Sequence, residues 1–430
     1  MKKWLSFILS LTLIASLTLS SCGKGDNGES SSSSNPSSPK EPEVIETYEG
    51  QTFKNGLLCV AVDDKYGYIN NKGETVIEPQ FVNAYDFYGE TAAVKTENGW
   101  GLINNKGEFI VEPAFFSIDK AHNGFYAVQN EDRYYGVIDM KGNTVTDTEY
   151  FDYSFISDGF IALEGFDGWT IIDKKGKAIT ETIFDSVGSS SEGLICVNLD
   201  GLWGYINEKG KTVIDHEYSG VSGFSEGLAA VEKDGLWGYI DTEGNMVIEP
   251  KYDTARQFSD GLALTLLDDE AWFVNQDGEE IFEFIYDVVY EFHDGYAVFI
   301  EDDRYGFIDK TGAVAFDTMF DYAYDFRDGL AIVTTNGKHG IIKTDGTYLV
   351  EPMYSTIWPF CNGFASVEVN GLYGFIDENG DLVINAEYDF CYDMGSDGFA
   401  IIRDSIDRSF GVINSDGESI AAGYDLMDVF

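Results

Sequence analysis

The residues of this chain whose types could do chemistry are four histidines, five cysteines and a carboxylate that recurs at regular spacing. Cys22, Cys59, Cys196, Cys361 and Cys391 form no CxxC pair and no Cys-His cluster at metal-ligand spacing, which argues against a zinc or dithiol centre. Cys59 and Cys196 occupy the same sequence column several repeats apart, so no structural disulfide is expected. His122 and His293 share a loop position just before a glycine. His216 stands where comparable segments have proline, and His339 where they have an aromatic residue. None accompanies a nucleophile motif, and GxSxG is absent. The carboxylate column runs Glu78, Glu112, Asp147, Glu181, Asp215, Glu249, Glu283, Asp317, Glu351. It could supply oxygen ligands to calcium, which takes roughly six to eight, but each repeat offers one fixed carboxylate and no EF-hand loop. A solvated edge, or a cap on nearby backbone amides, accounts for it. Two carboxylates could also serve a glycosidase, yet with 75 acidic side chains any pair is uninformative. The expectation is a protein that is not an enzyme and needs no cofactor.

The elements that carry these residues repeat. Aligning on Trp203-Gly204-Tyr205 and Trp237-Gly238-Tyr239 places the central glycine or its substitute at 67, 101, 136, 170, 204, 238, 272, 306, 340, 374 and 411, with nearly every interval 34 residues. Such self-similarity denotes an array of one supersecondary unit. In each unit three short apolar runs are separated by turns. Asp200-Gly201, Asp234-Gly235, Asn336-Gly337 and Asn370-Gly371 suit a type I′ hairpin, because both residue types tolerate positive φ. A second turn reads Asp or Asn, two variable residues, then Gly, from Asn70…Gly73 to Asn414…Gly417, with Lys343 the exception at the first position. No run has helical length and period. The fold class expected is all-β, a tandem array of about eleven three-stranded units, with an open superhelix and a closed toroid or propeller-like ring both available. Carboxylates stacked at the ~4.8 Å spacing of adjacent strands would repel, so successive columns should lie on separate sheets.

These motifs resemble the WG-repeat, or KWG-repeat, family of bacterial proteins over about residues 53 to 430. The resemblance is carried by Trp100-Gly101, Trp203-Gly204, Trp237-Gly238, Tyr305-Gly306 and Tyr373-Gly374. It implies a β-repeat domain and no general catalytic mechanism. Thr170 and Trp272 depart at the glycine column, Ala271 and His339 at the aromatic column, so units four, seven and nine are expected to be distorted. Bulky Thr170 and Trp272 also argue that the column marks close backbone approach rather than positive φ.

Two aromatic columns admit two roles. One runs Tyr66, Trp100, Tyr135, Trp169, Trp203, Trp237, Tyr305, Tyr373, Phe410. The other runs Phe81, Phe115, Tyr150, Phe184, Tyr218, Tyr252, Tyr286, Phe320, Tyr354, Tyr388. Exposed, they could stack on sugars or hold quaternary amines. Buried, they would pack unit against unit, which stacked repeats require. Packing is the reading adopted.

Composition supports a folded array: 44% hydrophobic and 15% aromatic residues outweigh a formal net charge of −48. That acidity disfavours nucleic acid and anionic headgroups as direct ligands of the folded part. Residues 1–21 have a basic start at Lys2-Lys3, an apolar run and the ending Leu19-Ser20-Ser21-Cys22, which resembles a bacterial lipobox with Cys22 as the lipidated residue. Residues 22–50 read as a Ser/Gly/Pro tether, and residues 51–430 as the array. The tether's mean span is about 30 Å. The expectation is an exported protein, lipid-anchored to the membrane, that presents a binding surface to a protein or glycan ligand outside it.

Overall fold

A computed structural model describes residues 52–427 apart from Asn123, Asp158 and Asp269. The described residues contain no helix. The leader, Cys22 and the tether lie outside them. Each expected trio of strands is present in most units, and a lead strand drawn from the preceding linker, two residues long in most units and six in units four, five and eight, precedes it. In unit six the lead strand Gly220–Val221 is followed by Leu228–Lys233, Leu236–Asp241 and Met246–Tyr252, joined antiparallel in chain order.

Local chemistry sets these hairpins. Glu226-Gly227 and Asp234-Gly235 both adopt positive φ at successive positions, as a type I′ turn requires. In the next turn Asp241 Oδ1 accepts from the Glu243 and Asn245 amides at 2.9 and 2.8 Å, while the Gly244 amide donates to the Asp241 carbonyl. Where Lys343 replaces the capping residue, Asp345 takes over, accepting from the Thr347 amide at 2.9 Å.

Gly238 has no positive φ. A Cβ there would collide with the Ile248 carbonyl oxygen, because the third strand bulges toward it, with register shifts on both sides. Gly67, Gly101, Gly204, Gly340 and Gly374 make the same approach to the carbonyl of the equivalent residue. Close approach is therefore what the glycine column supplies.

Units stack face to face. One core joins Leu228, Tyr239, Ile248 and Tyr252 of unit six to Phe258, Ala263 and Val274 of unit seven. The Tyr205 and Tyr239 hydroxyls donate to the carbonyls of Ser222 and Arg256 in the following unit, at 2.7 and 2.6 Å.

The array closes on itself. Ala61 and Val60 in the first strand of unit one, Leu57–Val62, pair with Leu426 and Met427, which stand where other units have their own lead strand. The Asp63 amide donates to Asp425 Oδ2 at 2.7 Å. Asp397 receives the amides of Thr52 and Phe53 at 3.0 and 2.8 Å. A core of Phe53, Leu58, Val60 and Ile69 with Ile401 and Val412 fills the seam between units one and eleven. The ring alternative left open by the sequence is the one observed.

Distortion follows the expected pattern in part. Unit four keeps only isolated bridges, Trp169↔Phe184 and Ile172↔Ala178, in place of its third strand. Unit seven has a four-residue third strand, Glu280–Glu283. Unit nine, expected to be irregular, is not: His339 pairs with Tyr354 in the usual register, because a planar imidazole occupies the aromatic position. Unit eight is irregular instead, reduced to bridges Tyr305↔Phe320 and Ile308↔Val314. Its glycine, Gly306, faces the Phe299 ring and Met319 sulfur rather than a bulged carbonyl.

Candidate functional site

The columns with chemical potential turn out to be mostly structural. The second aromatic column is buried in units one, four, five, six, eight, nine and ten, through Phe81, Phe184, Tyr218, Tyr252, Phe320, Tyr354 and Tyr388. The first column is wedged between units. Trp100 is buried and stacks on Tyr85 with ring centroids 5.0 Å apart. Trp203 and Trp237 are half-buried against the cores shared with the next unit, and Tyr305 and Tyr373 are half-buried in the same way. Neither column forms a free platform. The nine carboxylates from Glu78 to Glu351 are exposed on the third strands or their irregular equivalents. Among the described residues no group of three or more His, Cys, Asp or Glu side chains could hold a metal ion.

A second set of carboxylates, which sequence reasoning missed, ties neighbouring units together. Glu192, Glu226 and Asp294 in the lead turns accept from the amides of Gly227, Gly261 and Gly329 in the following unit, at 3.0, 2.9 and 2.8 Å. The signal was present as an acidic residue immediately before the first glycine of a unit.

Burial pushes the Cys196 thiol up to about 11 and Cys391 up to about 12, so both stay protonated and weakly nucleophilic. His293 Nε2 lies 4.0 Å from Asp325 Oδ2, with burial raising the Asp325 pKa ahead of the opposing pull of His293. A small pocket bordered by Arg256, Gln257, Tyr290 and Glu291 has room for about one water.

One surface breaks the pattern. Each first strand runs from the lead turn to the Asp-Gly turn and each second strand returns. The first-to-second turns therefore share one rim with the hinges that leave the third strands. On that rim the hinge residue is normally an acid that caps the adjacent turn: Asp185 accepts from the Gly201 amide at 3.2 Å, Asp253 from Asp268 at 3.0 Å, Asp287 from Asp302 at 3.2 Å. Three consecutive hinges carry Val82, Phe116 and Phe151 instead. Phe116 is 42% exposed, Phe151 48%, Tyr134 39%, and Phe166, at the tip of the next turn, 91%. Two side-chain contacts link neighbours along this stretch. The Arg133 guanidinium lies 3.5 Å from the Phe116 ring centroid, and Tyr134 and Phe151 are 5.7 Å apart and tilted by 45°. The Phe151 amide donates to the Glu164 carbonyl at 2.8 Å, which sets Phe151 beside the turn that holds Phe166.

Exposed apolar side chains grouped on neighbouring turns and hinges, where other hinges carry Asp or Ser, offer a surface for binding. This site was visible in the sequence only in the column one residue past the second aromatic, where Asp or Ser gives way to Val-Phe-Phe in successive units.

Comparison with known proteins agrees with the repeat. Among curated proteins no sequence matches this chain. Solved structures similar in part include a eukaryotic initiation factor (11% identity, 77% of this chain and 95% of that one, TM-score 0.39). Others are BamB from Moraxella catarrhalis (11%, 62% and 97%, 0.29) and the WD40 β-propeller domain of Doa1 (16%, 51% and 89%, 0.26). At these TM-scores the likeness adds nothing to the architecture read from strand pairing. The model of the WG containing repeat matches nine times, at residues 66–100, 100–134, 169–203, 203–237, 237–270, 273–305, 305–338, 340–373 and 373–404. With more than half of its length matched and the aromatic-glycine pair packed in the same way in successive units, the chain belongs to the WG-containing-repeat family.

Proposed function

We propose that the protein is a non-catalytic binding ring, anchored outside the membrane through lipid on Cys22 and carried on the tether of residues 22–50. The observation that carries this reading is the grouping of exposed Phe116, Tyr134, Phe151 and Phe166 on the turns and hinges of two neighbouring units. Exposed apolar side chains gathered in one place mark interaction sites, whereas scattered ones do not. The rest of the ring is a scaffold of nearest-neighbour interfaces, and rigid repeat scaffolds characteristically present extended surfaces to partners. The Leu19-Ser20-Ser21-Cys22 ending supports the anchor.

A photoreactive side chain placed at position 166 on intact cells tests the binding role. A discrete cross-linked adduct is expected, lost when Phe116 and Phe151 are both changed to serine. A cross-linking pattern indifferent to those changes would refute the patch as the binding surface. The anchor has its own test: Cys22→Ser should move the protein from the membrane fraction to the soluble one, and retention without peptide-bound lipid in the unchanged chain would refute it.

A further inference from the structure

The chemistry around the aromatic patch specifies what it binds. Resting on the binding role above, we propose that the rim of units three and four docks a basic polypeptide segment that lays apolar side chains on Phe116, Phe151 and Phe166. Four features converge on this partner. First, exposed carboxylates surround the patch: Glu131 and Asp132 precede Arg133 and Tyr134 in one turn, Glu149 flanks Phe151, and Asp167 follows Phe166. Second, Arg133, the basic residue these turns contribute, lies flat on Phe116. Its charge is engaged with the ring.

Third, Asp152 and Glu164 stand directly opposite each other across paired strands, next to Phe151. Like charges in that position are destabilising, and a cationic group set between them would relieve the repulsion. At the equivalent place other units pair Asn83 with Lys95, Ser117 with Gln129, Gly220 with Glu232, and Thr254 with Leu266, so the facing acids are particular to unit four. Fourth, the formal charge of −48 attracts basic partners over distance and repels a second copy of this chain.

At Phe116, Tyr134 and Phe151 the same geometry disfavours a sugar, and Phe166 alone leaves its ring faces open. Stacking needs a free, flat ring face. Arg133 covers one face of Phe116, and Tyr134 and Phe151 meet at 45°. A basic segment needs only exposed apolar side chains with carboxylates within reach, and both are present.

The test uses the full chain carrying Cys22→Ser and three probes: an 18-residue amphipathic peptide of leucine and lysine on the order of a helical segment, its leucine-glutamate counterpart, and chitohexaose. Calorimetry should detect binding of the lysine peptide alone. Affinity should fall at least about tenfold, equivalent to ~1.4 kcal/mol, in Phe116→Ser/Phe151→Ser/Phe166→Ser, and severalfold in Glu164→Gln. Thermal unfolding of both variants, whose changes are at the surface, confirms that they fold. Equal affinity of the lysine peptide for the parent and the triple variant would mean attraction by net charge alone and would overturn the proposal. Absence of binding would overturn it too, as would chitohexaose binding that the triple variant loses. A position-166 adduct on cells, obtained without affinity for the lysine peptide, would overturn this partner chemistry while leaving the binding role standing.

Discussion

The Tyr239 hydroxyl donates to the Arg256 backbone carbonyl at 2.6 Å, reaching from the aromatic-glycine strand of unit six into the linker of unit seven. Tyr68 does the same to Tyr85 at 2.7 Å, and in both cases the ring is fully buried, so burial pushes the phenol pKa far up and the proton stays on the donor. Tyr239→Phe keeps the packing and leaves that carbonyl without its donor. The expected cost is about 1 to 2 kcal/mol, measurable by denaturant unfolding. A neutral outcome would show that water replaces the hydroxyl.

Gly238→Ala places a methyl group against the Ile248 carbonyl in a strand that cannot retreat without losing its bulge. Overpacking of this kind costs about 1 to 3 kcal/mol. By contrast Gly223, whose nearest neighbours are the Ser191 hydroxyl and the Gln257 amide nitrogen, both at side-chain ends that can shift, should accept alanine with a smaller loss. Paired melting curves of the two variants decide whether backbone approach is what the motif glycine serves.

Trp237 is half-buried while its cross-strand neighbour Tyr252 is fully buried. Truncating a fully buried large aromatic costs about 3 to 5 kcal/mol, so Tyr252→Ala should reach that range and Trp237→Ala fall below it. Hydrogen exchange should quicken in residues 193–260 in both variants and stay unchanged in the units opposite. Uniform loosening of the ring would contradict nearest-neighbour stabilisation.

Deleting residues 425–430 removes the lead strand of unit one and the acceptor of the Asp63 amide. Exchange should rise in Leu57–Val62 and in Phe399–Asp404, on either side of the seam, with Leu228–Lys233 unaffected. Protection of Leu57–Val62 equal to that of the intact chain would mean that the pairing does not hold the ring shut.

Burial pushes His339 below its ordinary value, an effect that the nearby Glu368 opposes. Its folded-state pKa is thus below the unfolded value near 6.5. Above that value the imidazole is neutral in both states and the full stability is present. As pH falls below it, the unfolded chain takes up a proton first and stability is lost. His339→Phe restores the aromatic residue of the column and removes this dependence. The Tm difference between variant and parent should therefore grow as pH is lowered from 7 to 5; a constant difference would contradict the assignment.

Much of this architecture was readable from residue spacing. The Asp-Gly and Asn-Gly dipeptides placed the hairpins because only a few residue types accept consecutive positive φ, and Thr170 and Trp272 showed that the motif glycine serves proximity rather than an unusual backbone angle. The lead strands were not readable: two residues such as Thr254–Ala255 carry no periodicity, and their pairing is set by the next unit's first strand. The exposed apolar patch was hidden for a different reason. Phe116 and Phe151 look like core residues beside Phe115 and Tyr150, and only their position at a hinge, outside the strand's alternation, turns them outward.

The pairing of Leu57–Val62 with residues 426 and 427 also fixes an order of events. A chain that emerges from its N-terminus can assemble units two to ten as each arrives, since their partners are at most a few dozen residues away. Unit one must wait with an open edge until residues 426 and 427, its lead strand, have been made, and closure across the whole array is a slow, entropically costly step. Until then the edge of Leu57–Val62 stays open to mispairing with another chain, so completion of the ring hangs on a single seam.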